Sequence, residues 1–108
     1  MAGRDSNHRE MKSSVAEIQA DAWLGDAALE LYVRSWVLRE RGGVDAEMKT
    51  RFTCNQFLNA FGEPTKVEAQ IGVVYRTQGL DAAFIWIREN LEPLFLKQEA
   101  KRKRHTRT

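Results

Sequence analysis

The sequence predicts an all-α protein of five to six helices around one core, and three observations predict it. Apolar residues recur at spacings of three and four along most of the chain. Helix-start and helix-stop signals punctuate that pattern at short intervals. No run of alternating apolar and polar residues is long enough to demand a strand. The 108 residues fit one domain, and a 43% hydrophobic content supports a core, though a thin one.

Residues 1–12 are polar and are expected to fray. Ser14-Val15-Ala16-Glu17 has a capping-box pattern and predicts a helix start. From Trp23 to Leu38 the helix is apolar on most sides, which predicts a central, buried element. Gly25 inside it signals a close backbone approach or a local break. Gly42-Gly43 ends it. Asp45 caps a short helix through about Phe52, and Asn55 is read as the cap of another reaching Ala60 or Phe61. After the Gly62-Glu63-Pro64 break, Thr65-Lys66-Val67-Glu68 has a second capping-box pattern, opening a helix that stops at Gln78-Gly79. The last helix carries Leu80, Ala83, Phe84, Ile87, Leu91 and Leu94 on one face and is expected to dissolve into the tail. The organisation is a polar segment (1–12), a helical domain (13–96) and a basic tail (97–108).

Charge is unevenly spread along that organisation. Residues 97–108 carry a net +5 and residues 1–96 a net −3. A basic tail is a handle for nucleic acid, and equally an ordinary solvated terminus. No apolar run approaches the ~18 residues of a membrane span, and the polar start does not read as a signal peptide. The single cysteine, Cys54, excludes an internal disulfide framework and a cysteine-based zinc site. These features point to a cytoplasmic or other reducing compartment.

Few residues can carry chemistry. The two histidines, His8 and His105, lie in the polar termini and read as inert. Cys54 reads as a small buried hydrophobe, since no histidine or cation cluster adjoins it. No glycine-rich phosphate loop is present. What remains is carboxylate chemistry. Asp26 sits in the most apolar helix, where a charge is costly unless paired or bound to a cation. It reads either as a rim residue hydrogen-bonded to a neighbouring turn or as a metal ligand. Glu68 reads either as the closing residue of the Thr65 capping box or as a carboxylate facing Asp26 across a helix contact. Two such acids aimed at one point can hold a hard cation such as Mg²⁺.

Two motifs also carry a resemblance. Ala22-Trp23-Leu24-Gly25-Asp26-Ala27-Ala28-Leu29-Glu30-Leu31 resembles the Leu-Gly-Asp signature helix of the ribonuclease III family, and its continuation through Arg34 looks most like the compact Mini-III branch. Val67-Glu68-Ala69-Gln70-Ile71-Gly72-Val73-Val74-Tyr75 resembles the family's second conserved-type helix, and Arg51 to Leu58 its middle segment. The resemblance spans about residues 14–96.

The resemblance implies a dimeric endonuclease domain that cleaves double-stranded RNA with Mg²⁺, for which Mn²⁺ can substitute. It implies Asp26 and Glu68 as metal ligands and catalytic residues, Thr65 as a residue orienting metal-bound water, and Trp23 as an aromatic anchor in a homodimer interface. The family's other two acidic positions read Ala22 and Thr65 here, and Asp21 points about 100° away from Ala22 on a helix. The segment between the motifs is short, with Asp26 and Glu68 42 positions apart. RNA grip is therefore expected from the tail residues Lys101, Arg102, Lys103 and Arg104, with Arg51 and Lys66 as further candidates. The alternative is a catalytically inactive ribonuclease-III-like domain that binds RNA or protein in a larger assembly. A third reading, a small helical interaction module, predicts neither metal binding nor RNA affinity beyond tail contacts.

Overall fold

A computed structural model describes the backbone of residues 2–106 and the side chains of residues 14–104. Its described residues form six helices and no strand: α1 (Ala2–Arg41), α2 (Ala46–Thr53), α3 (Asn55–Asn59), α4 (Pro64–Gln78), α5 (Leu80–Asn90) and α6 (Glu92–Thr106). No helix among them is long and apolar enough to cross a membrane.

The long α1 packs against α4 in antiparallel fashion, and two glycines set how closely. A Cβ on Gly25 would lie 1.7 Å from the backbone oxygen of Glu68, and one on Gly72 would lie 1.8 Å from that of Asp21. Only glycine fits at either point, so the backbones themselves touch. Gly25 therefore marks a close approach and not a break. Leu29, Val33, Ile71, Ala83, Ile87 and Leu91 fill the space between α1, α4 and α5 and are fully buried.

A second part of the core joins α1, α2, α3 and α6 through aromatic rings. Phe52 and Phe95 stack with centroids 4.3 Å apart, and Trp36 meets both edge-on at 5.4 and 5.7 Å. Phe57 closes the cluster against Phe52 and Phe95. Such rings bury large areas and add edge-to-face attraction. Between the two parts, the Tyr32 hydroxyl donates to the Glu92 carboxylate at the start of α6. Burial, with that carboxylate second, holds the Tyr32 hydroxyl well above the usual phenol range.

Several boundaries differ from the sequence reading. Ser14 lies inside α1 and starts nothing. The stretch from Trp23 to Leu38 is central but not buried all round: Trp23, Leu24, Leu31 and Leu38 are exposed along one side. Asp45 caps α2 as expected, accepting from the Met48 amide at 3.0 Å. Asn55 is not a cap; Cys54 occupies that position, with no side-chain hydrogen bond to the helix. Nor does Thr65 open α4. Glu63 does, accepting from the Thr65 and Lys66 amides at 3.1 and 3.0 Å, with Pro64 as the first helical residue. A proline loses nothing there, because the first helical amide has no partner within the helix. The predicted last helix is two, interrupted at Leu91, and the expected unstructured tail is helical through Thr106. The side chains of His8 and His105 lie outside the described residues.

Helix propensity alone predicts that Gly72→Ala stabilises α4 by about 1 kcal/mol. The backbone clash outweighs this. The expected result is a loss of about 3 kcal/mol, read by chemical denaturation followed by circular dichroism; a variant as stable as the parent would contradict the close packing.

Candidate carboxylate site at the α1–α4 crossing

The close crossing determines which acids meet. Asp26 follows Gly25 on α1, and Glu68 is the residue whose carbonyl touches Gly25. The crossing leaves the Asp26 carboxyl close enough to act on that of Glu68. Glu68 is half-buried, and its carboxyl is pushed up to about 7. Burial is the largest cause, followed by the hydrogen bond to Asp26, the Asp26 charge and the more distant Glu63. No Lys or Arg among the described residues forms an ion pair with either acid.

This geometry removes one of the two sequence readings of Glu68. It stands five residues after the true cap, Glu63, so it closes no capping box. Asp26 departs from expectation in another way. Its side of α1 is exposed, and the buried acid of the helix is Asp21, at 7% exposure. Asp21 accepts a two-pronged contact from Arg76 of α4, Nε to Oδ1 at 3.0 Å and Nη2 to Oδ2 at 3.3 Å. It therefore takes no part in the Asp26–Glu68 pair. The sequence reading had no signal for Arg76 as its partner, since the two lie 55 positions apart.

The remaining predicted residues are spread more widely. Thr65 and Lys66 are exposed in the first turn of α4, one turn before Glu68. Trp23 is 81% exposed, so it is not packed within its own subunit. Lys101, Arg102, Lys103 and Arg104 are exposed on α6. Arg51 is not a free cation. Its Nε and Nη2 donate to the Glu99 carboxylate at 2.9 and 3.0 Å, and Glu99 is buried. Cys54 is half-buried against the core, with its thiol facing the Arg51 carbonyl at 3.7 Å.

The fold and site define an all-helical protein with an unneutralised carboxyl pair at a glycine-mediated helix crossing. A scan of protein-family models, a search of curated proteins and a search of solved structures return no match to the chain. Among the described residues, no group of three or more His, Cys, Asp or Glu side chains converges. The pair therefore offers a cation hard oxygen donors from two acids and no third.

The raised Glu68 carboxyl has a thermodynamic consequence. A group whose folded-state value exceeds its ordinary value of 4.5 stabilises the fold fully below about pH 4.5, and that contribution is lost as pH rises through about 7. Glu68→Gln is expected to flatten this stretch of the stability–pH curve. Asp26→Asn is expected to lower the Glu68 value only part of the way to 4.5, because burial is the larger cause. Carbon-detected NMR titration of the Glu68 carboxyl measures both; a Glu68 titrating at 4.5 in the parent protein would dissolve the pair.

Proposed function

We propose that this chain is a Mg²⁺-dependent endoribonuclease of the ribonuclease III type, cleaving double-stranded RNA as a homodimer in RNA maturation. The observation that carries the reading is the meeting of Asp26 and Glu68 across α1 and α4 with no basic side chain to neutralise them. A like-charge pair of this kind is stabilised by a cation.

The donor chemistry fits the ion. Asp26 and Glu68 are hard oxygen ligands, and Mg²⁺ ordinarily keeps several waters and is held by one or two carboxylates plus substrate phosphate. Mn²⁺ suits the same donors. When bound, the ion supplies an activated water and stabilises the leaving 3′ oxygen of a phosphodiester. The chain's own residues do the rest. Asp26 and Glu68 fix the site on an open surface that a duplex can reach. Glu68 must shed its proton to become a ligand, so the site loads better above pH 7 than below it. Thr65 adjoins the pair from the preceding turn and orients a water there. No side chain serves as nucleophile.

Two surfaces support the duplex substrate. Trp23, Leu24 and Leu31 form an exposed apolar stripe on α1 that suits burial against a second subunit. A dimer would bring two acid pairs to one duplex. The exposed cations of α6 and Lys66 suit backbone contacts, which carry most of the recognition of A-form RNA.

A catalytically inactive RNA- or protein-binding domain is the second reading, and the lack of a third converging acid among the described residues favours it. Cleavage of a long RNA duplex separates the two. The nuclease reading expects Mg²⁺-dependent cleavage, abolished by EDTA and slowed on the order of 100-fold or more by Asp26→Asn. A folded dimer inert in both Mg²⁺ and Mn²⁺ would leave only the binding domain.

A further inference from the structure

The arginine expected to be free, Arg51, shares a cleft with one that forms no ion pair with a described residue. Arg51 of α2 and Arg102 of α6 both line a cleft of about 240 Å³, together with Gln56 of α3 and Gln98 of α6. They share a second, more open cleft along α2. Phe57 and Phe95, from the aromatic core, line the first cleft with them. The cleft is therefore built on packed elements and not on a loop.

Glu99 gives the two arginines different roles. It is buried at 8% exposure and occupies Nε and Nη2 of Arg51, which holds that guanidinium at a fixed angle. The Nη1 protons of Arg51 and one of Nη2 remain unspent. Arg102 stands one turn beyond Glu99 on the same helix and forms no ion pair with a described residue. The Arg51–Glu99 pair is neutral, so the lining of the first cleft nets one positive charge, from Arg102, whereas Glu47 adds an acid to the more open one. Two amide side chains add neutral donors. A singly charged, oxygen-rich group matches this arrangement: a phosphodiester, held by guanidinium donors that suit its geometry.

The place of the cleft matters as much as its chemistry. Phe52 and Phe95 pack on Trp36 of α1, ten residues beyond Asp26. At the rise of an α-helix this puts the arginine cleft about 15 Å along α1 from the acid pair. It cannot contact the same phosphate. Lys101 and Arg104, exposed on other faces of α6, extend the positive field around it and favour a polyanion over an isolated anion.

We propose that the cleft between α2, α3 and α6 is a phosphate-binding site, in which Glu99-oriented Arg51 and exposed Arg102 together grip one phosphodiester of an RNA backbone at a distance from the carboxylate pair. The phosphate-binding chemistry stands on the cleft itself; the RNA that carries the phosphate rests on the functional reading above.

The test is duplex-RNA binding by the full chain in EDTA, followed by fluorescence anisotropy over a range of salt concentrations. Arg102→Gln leaves no buried partner exposed and is the primary variant, with Arg88→Gln on α5 as a charge-matched control. The expected result is about tenfold weaker binding for Arg102→Gln and a salt slope lower by about one, with less than a twofold change for Arg88→Gln. Arg51→Lys keeps the charge but loses the fork on Glu99 as well as on the phosphate, and is expected to weaken binding together with a lowered melting temperature. Equal losses in Arg102→Gln and Arg88→Gln would reduce the effect to general charge and overturn the site. Displacement of RNA by poly-glutamate at equal charge concentration, or by inorganic phosphate below about 1 mM, would overturn the assignment to a backbone phosphodiester. Because no metal is present, the outcome is independent of cleavage. A protein that cleaves RNA while Arg102→Gln binds as tightly as the parent loses this site and keeps the nuclease reading. A protein with the Arg102→Gln defect that cleaves nothing keeps the site and loses the nuclease.

Discussion

The contact of the α1 and α4 backbones at Gly25 and Gly72 is the constraint on which the rest of this structure depends. Glycine in a helix costs about 1 kcal/mol relative to alanine, so two such residues at facing positions weaken both helices locally. The cost is offset by packing: at this separation Leu29, Val33 and Ile71 share one buried core. The same contact sets the register of everything on either side. Asp21 reaches Arg76 on one side of Gly72, and Asp26 reaches Glu68 on the other. A shift of one turn along either helix, about 5.4 Å, would separate both pairs.

Against that frame the acids fall into two groups. Asp21 and Glu99 are buried, and each is met by a two-pronged arginine from another helix. These are structural charges: removing either partner would leave a buried ion unpaired, which is far costlier than the pair is stabilising. Asp26 and Glu68 are the reverse case. They are more open to solvent, yet they neighbour each other and not a cation, and burial first and Asp26 second hold the proton on Glu68 toward neutral pH. An arrangement that works against folding at neutral pH is the kind of local inconsistency expected at a functional site. The Arg51–Glu99 pair also serves the proposed phosphate cleft, since it orients the guanidinium there.

The helices and their stops at Gly42 and Gly79 were legible because they follow local rules. Both glycines have positive φ, 74° and 98°, and the Asp45 cap acts within three residues of itself. The starts were less legible because several residues compete for one cap. Thr65 and Glu63 both compete to open α4, and Glu63 prevails because Pro64 after it suits the first helical position. The tail read as unstructured by its charge, but Phe95 and Glu99 anchor α6 to the core, and the helix continues from that anchor.

By itself the sequence determined that the chain is helical, where α1 and α4 stop, and which two acids, Asp26 and Glu68, were worth following. It did so through periodicity, glycine and motif spacing, all properties of neighbours along the chain. Only the tertiary structure decided that those acids meet, that Asp21 belongs to Arg76, that Arg51 belongs to Glu99, and that Trp23 faces outward. Each of these depends on contacts between residues separated by tens of positions, or on the absence of a covering element. Such contacts follow from how closely two helices approach, and here that distance is set by the two glycines that let their backbones touch.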